Sequence, residues 1–448
     1  MFKRILVANR SEIAVRIIRA CHELGIEAIA VYSEADREAL HVQMADHSVC
    51  IGPPAARDSY LNVPNIMSAA MIHGCDAIHP GLGFLAENAD FAEICETCGM
   101  TFIGPPVEAI GKMGDKARAR RIMHEAGVPV IRGTSEAVED EASILKAAAD
   151  FGYPLRVKAS LGGGGRGIRI VHSEEELLRS VQLARAEAKA AFGSPDVYLE
   201  RDVQEPRHIE VQIMADKHGN VCHLWERECS VQTRFNQKLL EEAPAPRLGR
   251  PLRRRLADLA VHAAKAVGYV NAGTVEFLVD RYGNPFFLEM NTRLQVEHPI
   301  TEMTTGSDIV KEQIRIAAGE RLAWDKAPVA VGHAIECRID ARDTQRGFAP
   351  SPGRITLFVP PGGPGVRCDT HIYTGFEVTT FYDPLLAKVV VHGRDRFEAI
   401  RRMQRALREM RVEGIQTTRD YHLRILSNAF FRRGEVDTSF LRRHMGDA

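Results

Sequence analysis

The chain opens on apolar runs that alternate with amphipathic ones. Arg4 to Ala8 reads as a strand. Glu12 to Leu24 carries Ile13, Ile17, Ile18 and Cys21 at helical spacing, and Gly25 ends it. Ile26 to Tyr32, Ser48 to Ile51, Ala77-Ile78 and Thr101 to Ile103 are further strand-like runs. Strands alternating with helices predict a parallel sheet covered on both faces, a Rossmann-like unit. The turn after the first strand is Ala8-Asn9-Arg10-Ser11, without GxGxxG, which argues against a nicotinamide dehydrogenase. His79-Pro80-Gly81-Leu82-Gly83 follows the fourth strand, either as part of a site or as a glycine turn closing a crossover.

A second unit starts at Gly114-Asp115-Lys116, where a helix runs to about Ala126. Tyr153 to Ser160 predicts a strand carrying Lys158, and Ile168 to Val171 another. Leu161 and a glycine loop from Gly162 through Gly164 and Gly165 to Gly167 lie between them. Such a hairpin either brings backbone N–H groups against phosphate or acts as a linker; no Gly-Lys-Ser/Thr follows, so it is not a Walker loop. Val197 to Glu200 is strand-like and leads into Arg201-Asp202-Val203. From His208 to Ala215 the residues alternate. Ile209, Val211 and Ile213 share one face; His208, Glu210 and Gln212 share the other, which faces either solvent or a site. Arg253 to Val267 predicts a helix ended by Gly268.

Gly273 to Val279 and Pro285 to Glu289 flank Asp280-Arg281-Tyr282-Gly283-Asn284, a hairpin signal. A register centred on Tyr282-Gly283 sets Glu276 opposite Glu289. Like charges facing each other across strands are destabilising, and a divalent cation between them reverses the sign. Asn291, two residues on, points the same way; a slipped, solvent-facing pair is the other reading. The stretch Glu289 to Pro299 then packs Arg293, Gln295, Val296, Glu297 and His298 directly after an apolar strand. Buried charge is costly unless paired, so this stretch predicts an active-site wall.

Beyond about Ala330 the pattern shifts to short strands separated by Gly and Pro turns. These are Ala334 to Ile339, Ile355 to Val359, Glu377 to Thr380 and Leu386 to Val391, with a helix at Arg396 to Glu409. A separate α+β closing domain is expected. The 448 residues suit about three domains. A net charge of -1 excludes recruitment of nucleic acid by bulk field, and no run is long and apolar enough for a transmembrane helix. Nine scattered cysteines and no signal peptide predict a reduced, cytoplasmic protein. Cys95 and Cys98 have CxxC spacing with no second pair, and are read as helix packing.

Taken together, Ala77-Ile78-His79-Pro80-Gly81, Lys158 with its glycine loop, Lys238 before Glu241-Glu242-Ala243-Pro244, Glu289-Met290-Asn291-Thr292-Arg293 and Gln295-Val296-Glu297-His298-Pro299 resemble the biotin carboxylase family of the ATP-grasp superfamily. The resemblance covers essentially the whole chain. It implies an α/β and α+β body: a Rossmann-like preATP-grasp domain (1–114), an ATP-grasp domain (115–330) with a mobile lid at about 130–203, and a C-terminal biotin carboxylase domain (331–448). By motif match, Lys116, Lys158, Gly164, Gly165, Glu200, Arg201, Val203, His208, Gln232, Asn236 and Leu278 bind ATP. Glu276, Glu289 and Asn291 bind Mg²⁺ (or Mn²⁺). Lys238, Arg293, Gln295 and Val296 match the bicarbonate site, Glu297 the general base, and Arg338 the arginine on the biotin ureido oxygen.

The chain departs from the family where Leu82 replaces a usual tyrosine, Leu161 the first of five glycines, and Arg201 a common lysine. One extra residue lies between Gln232 and Lys238, leaving Phe235 or Asn236 for the ribose side. No Ala-Met-Lys-Met biotin-attachment motif appears. The resemblance therefore implies a free-standing, homodimeric subunit, with Arg19 and Glu23 at matching dimer positions or simply paired on one helix. It acts on biotin held by a separate biotin carboxyl carrier protein, beside carboxyltransferase subunits, with no nucleic acid or membrane partner. Acetyl-CoA carboxylase is the expected assembly; propionyl-CoA, another acyl-CoA and pyruvate are the other acceptors. A different ATP-grasp ligase and a non-catalytic ATP-binding regulator remain as the other classes.

Overall fold

A computed structural model describes residues 1–134, 137–159, 168–233, 236–324 and 326–446. Five parallel strands open the chain: β1 (Arg4–Val7), β2 (Glu27–Tyr32), β3 (His47–Cys50), β4 (Ala77–His79) and β5 (Thr101–Phe102). Their order is β3-β2-β1-β4-β5, the doubly wound arrangement that the alternating pattern predicts. Helix Ser11–Glu23 buries Ile13, Ile17 and Ile18 against this sheet. Helix Val107–Gly114, not foreseen from the pattern, leads into helix Lys116–Glu125.

A three-stranded sheet follows, with β6 (Leu155–Ala159) between β7 (Ile168–Val171) and β8 (Val197–Arg201). Helices Glu141–Phe151 and Glu174–Phe192 cover it, and Leu155, Val157, Leu177, Val181 and Leu199 form a core of their own. Arg201 is the last residue of β8 rather than the first of a loop. Gly164, Gly165 and Leu161 lie outside the described residues, as does Phe235.

The organising element is an eight-stranded antiparallel sheet. It contains β9 (Arg207–Ala215), β10 (Val221–Gln232), β11 (Lys238–Ala243), β12 (Asn271–Val279), β13 (Pro285–Asn291) and β14 (His333–Asp340). Strands Leu385–Gly393 and Val366–Thr370 complete it, in the order β13-β12-β9-β10-β11-β14, then 385–393, then 366–370. The alternation of β9 resolves cleanly. Ile209, Val211 and Ile213 join Val275, Phe277 and Phe287 in a core beneath helices Lys116–Glu125 and Arg250–Ala266. The polar parity is also buried, so it does not face solvent.

Two expectations change. Not all strands beyond Ala330 stand apart: β14 pairs with β11, and with strands Leu385–Gly393 and Val366–Thr370 it extends the central sheet, while Leu357–Val359 and Glu377–Val378 pair in separate two-stranded sheets. Period-two alternation reveals a strand but not its neighbour, so this join had no local signal. The hairpin places Glu276 opposite Glu289, but near the turn the register is Phe277 to Phe287 and Val279 to Pro285. A bulge at this point shifts the pairing by one residue and brings the two glutamates together. Among the described residues no helix is long and apolar enough to cross a membrane. All nine cysteines are unpaired; Cys95 is buried in helix Ala89–Thr97 against Met67, and Cys98 caps that helix.

Candidate active site

The polar parity of the central sheet forms a charged row. Register pairs join Glu289 on β13 to Glu276 on β12, Glu276 to Glu210 on β9, and Glu210 to Arg227 on β10. Three adjacent carboxylates would repel one another across the strands. The folded chain answers with cations. Arg227, fully buried, pairs with Glu210 and donates to Gln212 Oε1 (2.7 Å), Thr274 Oγ1 (3.1 Å) and Thr301 Oγ1 (3.1 Å). Lys238 places its Nζ 2.7 Å from Glu210, 3.0 Å from Glu276 and 2.7 Å from Glu297. His208 Nε2 lies 2.9 Å from Glu276 Oε2, and Lys116 Nζ lies 3.3 Å from Glu289 Oε2.

Glu297 sits at the bottom, with no exposure to solvent. It follows β13 by a short turn and precedes helix His298–Thr305, where Pro299 suits the first turn. Lys238 holds Oε1, and Arg338 Nη2 holds Oε2 at 2.9 Å. Burial pushes this carboxyl up, but Lys238, Arg338 and Arg227 outweigh burial and hold it well below the usual range. Burial also opposes the Lys238 ammonium, yet Glu210, Glu276 and Glu297 raise it well above an ordinary lysine. Glu241, 2.6 Å from Arg338, is pushed up to about 7 by burial.

Above this layer lies a cleft of about 410 Å³. Lys116, Lys158, His208, Gln232, Asn236, Lys238, Glu276, Leu278, Glu289, Asn291, Arg293, Gln295, Val296 and Arg338 all line it. The sequence scatters these residues over more than two hundred positions; the sheet gathers them. Leu82 and Gly83 line the cleft too, and Leu82 packs against the N-terminal core. Glu200 is behind the wall, buried and paired with Lys158. Arg201 and Val203 line a neighbouring cavity of about 580 Å³ with Tyr153, Tyr282 and Phe286, not this cleft. Gln232 pairs with Lys238 across the base of the 232–238 loop, and exposed Asn236 takes a positive φ of 59°.

Arg293 is held by a residue the sequence did not single out. Glu87, from the N-terminal domain, accepts from Arg293 Nε at 2.8 Å and from Thr292 N at 3.0 Å. Arg293 also donates to Gln295 Oε1 and Asn291 Oδ1, each at 3.1 Å. Arg227 and Glu87 were legible only as charged positions, and Glu210 only as part of the polar face of β9, since their partners lie on other strands or in another segment.

Two carboxylates and an amide, Glu276, Glu289 and Asn291, form an all-oxygen set of the kind hard divalent cations take, and Glu289 lines the cleft with Lys116 as its only ion-pair partner among the described residues. The donor types fit such an ion, with Glu289 the least compensated of the three, since Glu276 is also held by Lys238 and His208 and Asn291 Oδ1 by Arg293. Two other acidic groupings, His208-Glu210-Glu276 and Glu210-Cys229-Glu297, share the Lys238 ammonium, which already supplies their positive charge.

Family models describe three successive segments: "Biotin carboxylase, N-terminal domain" over 1–110, "Carbamoyl-phosphate synthase L chain, ATP binding domain" over 115–324, and "Biotin carboxylase C-terminal domain" over 336–443. The chain is 54% identical to biotin carboxylase 1 of Bacillus subtilis, covering 99% of both chains. It is 52% identical to a pyruvate carboxylase subunit of Methanothermobacter thermautotrophicus, over 98% of this chain and 90% of that one. A biotin carboxylase–beta-gamma-ATP complex from Campylobacter jejuni superposes with a TM-score of 0.97 at 48% identity, covering 99% of each chain. The biotin carboxylase domain dimer of Hydrogenobacter thermophilus 2-oxoglutarate carboxylase, solved with MgADP, ADP and bicarbonate, gives 0.96 at 49%, covering 99% of this chain and 98% of that one. Identity of this degree along the full length, with the three segments in the same order, makes the chain a member of the biotin carboxylase family, the ligase subunit of a biotin-dependent carboxylase.

Proposed function

We propose that this chain uses ATP and bicarbonate to carboxylate N1 of biotin on a separate carrier protein, as the first half-reaction of an acetyl-CoA carboxylase. The observation that carries the reading is Glu297, gripped by Lys238 and Arg338 under a cleft walled by cations. Lys238, Arg293, Gln295 and Val296 bind bicarbonate. Lys116, Lys158, His208, Gln232, Asn236 and Leu278 hold ATP, with Arg201 and Val203 toward the adjoining cavity. Glu276, Glu289 and Asn291 hold Mg²⁺ or Mn²⁺, which supplies positive charge to phosphoryl oxygens when bound.

Glu297 takes the bicarbonate proton as the oxygen attacks the γ-phosphorus, and ADP leaves. The carboxyphosphate formed divides into CO₂ and phosphate. That phosphate removes the N1 proton of biotin and N1 then bonds to the CO₂ carbon, while Arg338 steadies the ureido oxygen and Arg293 the phosphate. As it stands, Glu297 is a weak base because Lys238, Arg338 and Arg227 hold it ionised, the first two by direct contact. Bicarbonate competes for Lys238 and the ureido oxygen competes for Arg338, so each substrate raises the proton affinity of the carboxylate. The base is strengthened by the molecules it serves.

The independent core of the three-stranded sheet supports residues 130–203 as a lid that closes over carboxyphosphate and excludes water. Division at 1–114, 115–330 and 331–448 follows the same reading. The unpaired cysteines support a cytoplasmic setting. The pyruvate and 2-oxoglutarate carboxylase relatives favour a keto acid as the second choice of acceptor. The experiment is phosphate release by the purified chain with and without bicarbonate and free biotin. Release that requires bicarbonate and rises with biotin supports the reading; ATP binding without turnover makes the chain a regulator. Reconstitution with a biotinyl carrier and acetyl-CoA, propionyl-CoA or pyruvate then separates the acceptors.

A further inference from the structure

The geometry points to Lys388 as a positioning residue for the proposed base, an inference that rests on the bicarbonate-dependent reading above. Lys388 lies in strand Leu385–Gly393 and has no exposure to solvent. Its Nζ donates to the Val296 carbonyl oxygen at 3.0 Å and is 2.9 Å from Glu12 Oε2. Val296 and Glu297 share a peptide bond, so this contact fixes the backbone from which the Glu297 side chain projects.

The register makes the placement specific. Lys388 is the Cα partner of Arg338 on β14 and of Asp369 on strand Val366–Thr370. Side chains directly opposite each other point to the same face. Two neighbouring cations thus reach up from adjacent strands. Arg338 grips the Glu297 carboxylate, and Lys388 grips the carbonyl one residue earlier.

A buried lysine needs a reason, since removing an ammonium from water is costly. Burial lowers its proton affinity, but Glu12, Glu336 and Asp369 outweigh burial and keep it charged. Asp369 is itself held. Arg367 pairs with Asp369 (2.6 Å) and Glu302 (2.7 Å), and Glu302 pairs with Arg16 (3.0 Å). The chain of charges runs from helix Ser11–Glu23 through helix His298–Thr305 to the C-terminal strands, and ends on the peptide before Glu297.

The arrangement solves a problem raised by the proposed chemistry. Both side-chain anchors of Glu297 are also substrate ligands. When bicarbonate draws Lys238 and biotin draws Arg338, the carboxylate loses both. Lys388 touches neither the cleft nor those substrates, so its hold on the backbone persists and keeps Glu297 aimed at bicarbonate. The residue acts through Glu297 and is not itself a catalytic group.

The test compares Lys388→Met, Lys388→Arg and Glu12→Gln with wild type in bicarbonate-dependent ADP release, each checked for folding by its thermal midpoint. The expected result for Lys388→Met is a rise of about fivefold or more in KM for bicarbonate, with kcat about tenfold lower and KM for ATP within about twofold. Lys388→Arg keeps a donor for the carbonyl and recovers most of both. A purely structural lysine gives a lower midpoint with an unchanged bicarbonate KM, and that result overturns the proposal. If Lys388→Met does not fold, Glu12→Gln decides: a bicarbonate KM raised about twofold to threefold supports it, and an unchanged value overturns it. Wild-type turnover that needs no bicarbonate would instead overturn the functional reading on which the proposal stands.

Discussion

At the scale of single residues, the site is set by how carboxyls are compensated. Glu297 and Asp340 show the two extremes. Glu297 is buried among three cations and stays ionised. The Glu297→Gln variant keeps the shape and a hydrogen-bonding end but cannot take a proton. Bicarbonate-dependent ADP release is expected to fall by about 10²–10⁴-fold while ATP affinity holds, because the proposed nucleotide contacts lie elsewhere in the cleft. Near-normal turnover would remove Glu297 as the base. Asp340, at the end of β14, accepts from Gln237 Nε2 at 3.0 Å, but burial and then Asp383 push it up to about 7. Its folded value lies above the ordinary 3.8, so the folded state holds a proton that the unfolded chain has lost. Stability from this group is full below the unfolded value and is lost as pH rises through about 7. D340N keeps an acceptor for Gln237 and abolishes the titration. Its thermal midpoint is expected to pull ahead of wild type between pH 5 and 7, by roughly several degrees, and to run parallel above that. Superimposable midpoints from pH 5 to 8 would show that Asp340 is not buried as a neutral acid.

At the scale of elements, the position of a reactive side chain depends on where its helix or strand begins. Lys116 is the first residue of helix Lys116–Glu125. The Asp115 carboxylate caps that helix, accepting from Ala117 N (2.9 Å) and Arg118 N (3.1 Å). Asp115→Ala is expected to cost about 1 kcal/mol of stability, the usual worth of an N-cap. Because the cap also orients the turn that carries Lys116, KM for ATP should rise about threefold with kcat largely kept. A loss of stability with an unaltered ATP KM would separate the cap from the nucleotide site. The same scale explains what the sequence made legible. Period-two alternation identified β9 and both its faces, and turn residues located the β12–β13 hairpin. The Glu276–Glu289 pairing emerged correctly, although a bulge rather than a simple centred register produces it. What stayed hidden was non-local. Arg227 meets Glu210 because β10 pairs with β9, Glu87 meets Arg293 across 206 positions, and β14 joins β11. No local pattern encodes which strand lies beside which, and a resemblance to a family carries only the positions within its motifs.

For the whole molecule, the question is how much of the active site one chain provides. The side chains that hold Glu297 and line the cleft are drawn from all three segments of one chain. The proposed homodimer would add a contact between copies. Helix Ser11–Glu23 turns Glu12, Ile13, Arg16 and Ile17 inward and leaves Arg19 exposed. Glu23 pairs with Lys311 of the same chain instead of Arg19, so a change at Glu23 would disturb an internal contact as well as a surface. Arg19→Glu is the cleaner probe. If this helix face forms the dimer contact, sedimentation should show wild type at twice 49.7 kDa and the variant at 49.7 kDa, each at micromolar concentration. Charge reversal on both sides of a two-fold contact acts twice, once for each copy, which favours a complete shift over a partial one. ADP release per chain should stay within about twofold of wild type, since the ion pairs that hold Glu297 are internal. An Arg19→Glu variant that sediments with wild type places the contact elsewhere; a monomeric variant that has lost turnover shows that the second copy steadies the site from outside it.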